Sequence, residues 1–245
     1  MLQDKNWFEK RVLLTPDGNA VVDALTNESW TYQMLYERVQ KMTAILVRMG
    51  VTKGDRVGLL SKNHVSYFDF FFACMKLGAI FVPFNWRLAE AELNYCLKDS
   101  SPIFIGVSRE FSDKLSACEY RANTLLIDGN DYLENENQVV KIDVNIKEED
   151  PLAMIYTGGT TGKPKGVILS HRSILWNALN TVMSWGLTKE DKTITCLPMF
   201  HTGGLNVLSL PLLLVGGEVI LRADFDPEQI IEDIEKYACA IMMLV

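Results

Sequence analysis

The sequence predicts an α/β protein with layered, mostly parallel sheets, on three observations. Short apolar β runs alternate with longer stretches of helical periodicity along the whole chain. The most apolar stretch, residues 68–86, carries Asp69 and Lys76 and is interrupted by Gly78 and Pro83, which suits a buried helix passing into a buried strand better than a membrane span. After a polar segment at 128–150, a further β run opens onto a loop crowded with glycine, threonine and lysine.

The elements follow in order. Thr31 can cap a helix whose apolar face uses Leu35, Val39, Met42, Leu46 and Met49, with Gly50 at its end. Residues 56–60 read as a strand. Asn63 can cap a helix that runs through Cys74 to Gly78, and 79–83 follows as a strand. A helix over 89–98 and strands at 103–107 and 124–127 come next. Residues 128–150, acidic and polar, read as a surface excursion. Strands at 152–156 and 167–169 flank the glycine-rich loop, and Ser170 can cap a helix to about Trp185. Strands at 193–197, 218–221 and 239–244 alternate with helices near 205–214 and 227–237, the latter opened by Asp226 and Pro227. The expected division is residues 1–150 as a first α/β subdomain and 151–245 as the start of a second.

Composition narrows the function. The net charge is -7 and no basic stripe stands out, so a nucleic-acid partner is excluded. Five cysteines, Cys74, Cys96, Cys118, Cys196 and Cys239, form no C-x-x-C pair, which predicts free thiols in a cytoplasmic protein and no disulfide frame or zinc site. No transmembrane segment and no signal peptide are expected.

The chemistry concentrates in Tyr156-Thr-Gly-Gly-Thr-Thr-Gly-Lys-Pro-Lys-Gly166. Glycines let a backbone approach a ligand closely, and bare N–H groups with threonine hydroxyls donate to phosphate oxygens. Lys163 and Lys165 add positive charge. Two readings are open on these residues alone: a polyphosphate cradle and a plain flexible hairpin. The loop is not a Walker A motif, since Pro164 follows Gly162-Lys163 and Thr157 stands where the first glycine belongs.

The run resembles the phosphate-binding signature of the adenylate-forming, or acyl-CoA synthetase, superfamily. Trp30-Thr-Tyr-x-x-Leu35, Gly54-Asp-Arg-Val57, Lys76-Leu-Gly-Ala-Ile-Phe-Val-Pro83 with Asn85-Trp-Arg-Leu88, and Leu197-Pro-Met-Phe-His-Thr-Gly-Gly-Leu205 resemble further elements of that family, in its order. Gly158, where many members have serine, is similar to some fatty acyl-CoA synthetases. The resemblance implies the amino-terminal part of the large domain of an αβαβα-type enzyme. That enzyme would join a carboxylic acid, such as a medium- or long-chain fatty acid, to CoA with ATP and Mg²⁺. An aryl-acid or succinylbenzoate-type ligase is the neighbouring alternative, and a non-catalytic nucleotide-binding fragment is a third.

By the same resemblance Thr157, Gly158, Gly159, Thr160, Thr161, Gly162 and Lys165 contact the ATP phosphates. Lys163 either joins them or only solubilises the loop, and Thr157 helps to hold Mg²⁺. Lys165 carries catalysis with His201, which lies beside the acyl pocket with Phe200 and Leu205 near it. His171 and Arg172 read as a solvated face. The adenine and ribose contacts, the rest of the large domain and the carboxy-terminal lid are expected beyond Val245. The apolar run at 240–245 suggests truncation, and pairing of that edge suggests a homodimer.

Overall fold

The computed structural model describes residues 6–128, 131–134, 140–158 and 163–244. In chain order, α1 (Trp7–Leu14) leads to β1 (Asn19–Asp23) and β2 (Ser29–Thr31), then α2 (Tyr32–Arg48), β3 (Arg56–Leu60) and α3 (Ser66–Leu77). There follow β4 (Ile80–Pro83), α4 (Glu90–Ser100), β5 (Phe104–Val107), α5 (Arg109–Ala117) and β6 (Asn123–Leu126), with a 3-10 turn at Asp131–Leu133. The hairpin β7 (Pro151–Thr157) and β8 (Lys165–Ser170) precedes α6 (His171–Trp185), β9 (Lys192–Thr195), α7 (Thr202–Leu205) and α8 (Ser209–Val215). The last elements are β10 (Glu218–Leu221), α9 (Pro227–Tyr237) and β11 (Ile241–Met242).

The chain forms two compact units, each discontinuous in sequence. One comprises Met1–Glu37, Lys62–Val65 and Arg172–Val245, and the other Arg38–Ser61 and Ser66–His171. The first holds a five-stranded sheet in the order β11-β9-β10-β1-β2, parallel except for the β1–β2 pair. Val22, Ala24, Ile194, Cys196, Ile220 and Ile230 form a core cluster there. The second holds a six-stranded sheet, β6-β5-β3-β4-β7-β8, parallel except for the final hairpin. The expected break near residue 150 falls inside this second unit, because β7 pairs with β4 at Phe81↔Ala153. Strands β1 and β2 in turn join the sheet of β9 and β10.

Local chemistry accounts for many boundaries. Thr31 caps α2, its Oγ1 accepting from the Met34 N–H at 3.2 Å, and Gly50 past the helix end takes φ +82°. Asp226 accepts from the N–H groups of Glu228 and Gln229 at the start of α9. In α3, Phe68, Phe70, Phe71, Ala73 and Cys74 are all fully buried, and β4 beyond it is buried along its length, so the apolar run is a helix–strand core passage. Among the described residues no helix is long and apolar enough to cross a membrane.

Several expectations change. The expected elements did not include α1, β1, β2 or α5. The β1 signal is three apolar residues, Ala20–Val22, and its pairing partner Val219–Leu221 lies almost two hundred residues away. Helix α3 starts at Ser66, so Asn63 is not its cap. Its side-chain amide instead bonds to the backbone of Thr195, Leu197, Arg222 and Met199. The helix expected near 205–214 is two, α7 and α8, and the terminal strand spans only Ile241–Met242. The 128–150 segment is not purely a surface excursion. Leu133 and Ile146 are buried, and the Tyr132 hydroxyl reaches the buried Arg38–Asp69 pair.

Candidate functional site

The glycine-rich loop closes the β7–β8 hairpin. Thr157 pairs with Lys165 and Tyr156 with Gly166, so residues 158–164 bridge the two strands. Because β7 runs parallel to β4, the loop leaves the carboxyl end of a parallel strand, where open α/β sheets present ligands. Thr157, Gly158, Lys163 and Lys165 are exposed, and a Cβ at Gly158 would meet only open space. Gly159, Thr160, Thr161 and Gly162 lie outside the described residues.

The stem of the hairpin is held by packing and by hydrogen bonding of Tyr156 to α4. Leu152, Ala153 and Ile155 are buried. The Tyr156 ring stacks on Phe84 with centroids 6.5 Å apart, and its hydroxyl donates to Asp99 Oδ2 at 2.6 Å and to the Cys96 carbonyl at 3.1 Å. Burial, and then the Asp99 carboxylate, push the phenol pKa well up, so the hydroxyl keeps its proton and donates. Gly166 faces it: a Cβ there would stand 2.9 Å from Met154 Cγ and 3.4 Å from Tyr156 Cζ, so the cross-strand position is kept bare. At the far side, Lys163 Nζ lies 5.8 Å from the Tyr95 ring of α4, within cation–π range.

His201 belongs to the other unit. It is the N-cap of α7, and its Nδ1 accepts from the Gly203 N–H at 3.3 Å. In the neutral imidazole that bond leaves the proton on Nε2 of an exposed residue. The turn before it is tight, since a Cβ at Gly204 would lie 2.4 Å from the Leu197 carbonyl oxygen and 2.5 Å from that of Pro198. Of the expected pocket neighbours, Leu205 is fully buried and Phe200 is 8% exposed, so both pack as core. His171, expected on a solvated face, is also buried; it heads α6 with its N–H on the Asp150 carbonyl, while Arg172 is exposed.

The donor set suits phosphate: a hydroxyl, an unobstructed glycine and two exposed lysines on one loop. For Mg²⁺ the fit is partial. Thr157 offers one oxygen, and among the described residues no group of three or more His, Cys, Asp or Glu is placed to hold a metal.

The pattern of the family described as AMP-binding enzyme matches residues 8–245. The chain belongs to this family. A feruloyl-CoA synthase of Amycolatopsis sp is 32% identical over 94% of this chain and 46% of its own length. An indoleacetate–CoA ligase of Aromatoleum aromaticum is 31% identical over 98% of this chain and 49% of its own. The chain therefore spans about half the length of these relatives. Among solved structures, ATP-bound MatB from Rhodopseudomonas palustris superimposes with TM-score 0.86 at 28% identity, over 98% of this chain and 49% of that one. The o-succinylbenzoate CoA synthetase of Bacillus subtilis, in complex with its acyl-adenylate intermediate, gives 0.86 at 25% identity over 97% of this chain and 60% of that one. The mostly parallel α/β architecture is that of these members of the family.

Proposed function

We propose that this chain carries the phosphate-binding half of an ATP-dependent acid–thiol ligase that activates a carboxylic acid and passes it to CoA. The observation that carries the proposal is the Thr157–Lys165 loop at the carboxyl end of β7, in a chain whose relatives include CoA ligases. A carboxylate is a poor electrophile, because its leaving group would be oxide. Its oxygen attacks the α-phosphorus of ATP, the bond to the β-phosphate bridging oxygen breaks, and pyrophosphate leaves. The CoA thiol, losing its proton to solvent, then attacks the acyl carbon. A C–S bond forms and AMP departs with the electron pair.

The roles proposed for this chain's residues follow from their chemistry and from the family resemblance. Backbone N–H groups from Gly158 to Gly162 and the hydroxyls of Thr157, Thr160 and Thr161 donate to the triphosphate, and Lys165 neutralises charge that grows as pyrophosphate leaves. Lys163 adds to the same field. Mg²⁺, with Thr157 as one ligand, would supply further charge neutralisation on the phosphates. By the family resemblance, His201 serves the acyl part of the reaction.

The acid has a large apolar body. Relatives acting on ferulate, indoleacetate and succinylbenzoate favour an aromatic acid. A structure provisionally assigned as a long-chain-fatty-acid CoA ligase, at TM-score 0.91 and 26% identity, favours a fatty acid. A panel of both classes, read by pyrophosphate release from the protein at its full encoded length, separates them. In the same assay Lys165→Ala slows adenylate formation about 10- to 100-fold, the worth of one charged contact, with unchanged circular dichroism. An unaltered rate removes Lys165 from the reaction.

A further inference from the structure

We infer that Asn63 is a positioning residue that sets the imidazole of His201 through the Leu197–His201 turn. The inference rests on the reading of His201 as an acyl-side residue. Asn63 lies in the short Lys62–Val65 segment, which packs in the same unit as β9 and β10. It is 7% exposed. Its Nδ2 donates to the carbonyls of Leu197 at 2.9 Å, Arg222 at 3.0 Å and Thr195 at 3.3 Å. Its Oδ1 accepts from the Met199 N–H at 2.8 Å. A primary amide has two N–H donors, so three carbonyls around it share two hydrogens, and the donor end is saturated.

The partners are what give these bonds a purpose. Thr195 ends β9, and Arg222 directly follows β10, so one side chain ties the carboxyl ends of two parallel strands. Leu197 and Met199 lie in the connection that ends at His201, whose own N–H donates to the Pro198 carbonyl at 3.1 Å. Gly204 packs against the same turn, where the Leu197 and Pro198 carbonyls leave no space for a Cβ. Asn63 and Gly204 thus both constrain residues 197–199. Since Nδ1 is held by Gly203 N–H, the direction of Nε2 is set by the path of this turn. Removing the amide takes a partner from four backbone groups, of which the Thr195 carbonyl keeps the Arg222 N–H, and lets the turn relax toward water.

The test is a double-mutant cycle on the protein at its full encoded length, using the best acid of the panel. Asn63→Ala, His201→Ala and the pair are compared in kcat/KM for the acid, with thermal midpoints measured in parallel. Asn63→Ala is expected to lower kcat/KM about 10- to 100-fold, as displacement of a reacting group by about 1 Å does. In the His201→Ala background it should change kcat/KM less than about threefold, because the group it positions is gone. An equal factor in both backgrounds overturns the inference and leaves the reading of His201 standing. A His201→Ala enzyme as active as wild type overturns that reading, and the inference with it. A second readout is the imidazole ¹⁵N spectrum, tractable with three histidines in the chain and assigned by the signal lost in His201→Ala. Wild type should show the Nε2–H form, and Asn63→Ala a mixture of tautomers; an unchanged spectrum counts against the inference. Asn63→Ser, which keeps one donor and one acceptor, replaces Asn63→Ala in the cycle if the alanine variant does not fold.

Discussion

Removing the Asp69 carboxylate should destabilise the chain far more than a typical substitution. Asp69 sits in α3 with its side chain fully buried, and Arg38, on α2, is 10% exposed. The guanidinium grips both carboxylate oxygens, Nε to Oδ1 at 3.1 Å and Nη2 to Oδ2 at 2.7 Å. The Tyr132 hydroxyl donates to the same Oδ2 and accepts from Arg38 Nη2, and the Tyr132 ring lies 5.4 Å from the guanidinium. Burial disfavours the Arg38 charge, but the Asp69 carboxylate and Tyr132 outweigh it and hold the guanidinium more firmly protonated than usual. Asp69→Ala therefore leaves a buried cation without the carboxylate it holds at two points. Breaking such a pair from one side costs about 3–5 kcal/mol. For a domain of this size each kcal/mol moves the melting temperature by about 2–4 °C, so the midpoint should fall by roughly 6–20 °C. The assay is differential scanning calorimetry of Asp69→Ala beside Arg38→Met/Asp69→Leu, which replaces both charges by apolar groups. The double variant should be more stable than Asp69→Ala. A fall below about 2 °C for Asp69→Ala, or a double variant no better than the single, contradicts the reasoning.

Two further outcomes follow from local geometry. A Cβ at Gly106 would stand 2.4 Å from Phe70 Cζ and 3.1 Å from Leu59 Cδ1, so Gly106→Ala overpacks the contact of β5 with α3. It should cost about 1–3 kcal/mol by urea unfolding with the fold retained, and an unchanged midpoint would mean that Phe70 repacks freely. The Lys147 N–H and the Lys53 ammonium, 2.6 Å away, hold the Asp150 carboxyl below its usual pKa. Its contribution is then present above the unfolded carboxyl value of about 3.9 and is lost as pH falls through the lower folded value. Asp150→Asn should lower the thermal midpoint at neutral pH and narrow the gap to wild type in acid; a gap that widens in acid would reverse the assignment.

Particular residues mark the reach of sequence reasoning. The strands at Arg56–Leu60 and Glu218–Leu221 and the helix at Pro227–Tyr237 match their expected bounds, because each carries its own signal: a β run, or an Asp-Pro start followed by amphipathic spacing. The glycine-rich loop was legible as a loop for the same reason, since its glycines, hydroxyls and lysines are consecutive. Asn63 shows the opposite case. From neighbours in sequence it reads as a helix cap. Its four partners are Thr195, Leu197, Met199 and Arg222, more than a hundred residues away, and no local pattern announces them.

The sequence by itself determined the α/β class, the parallel character of the sheets, the buried course of residues 68–86 and the position of the glycine-rich loop after a β run. These depend on periodicity and on residue types that act within a few positions of each other. Tertiary structure alone decided which strands share a sheet. β1 lies between β2 and β10, while β7 adds to β4 and takes the loop away from the chain's expected second half. Strand pairing is a hydrogen-bonded choice between distant backbones with similar apolar side chains, so local signals do not discriminate among partners. The same holds for the buried Arg38–Asp69–Tyr132 network and for Asn63, whose polar groups reveal their roles only once burial obliges each of them to find a partner.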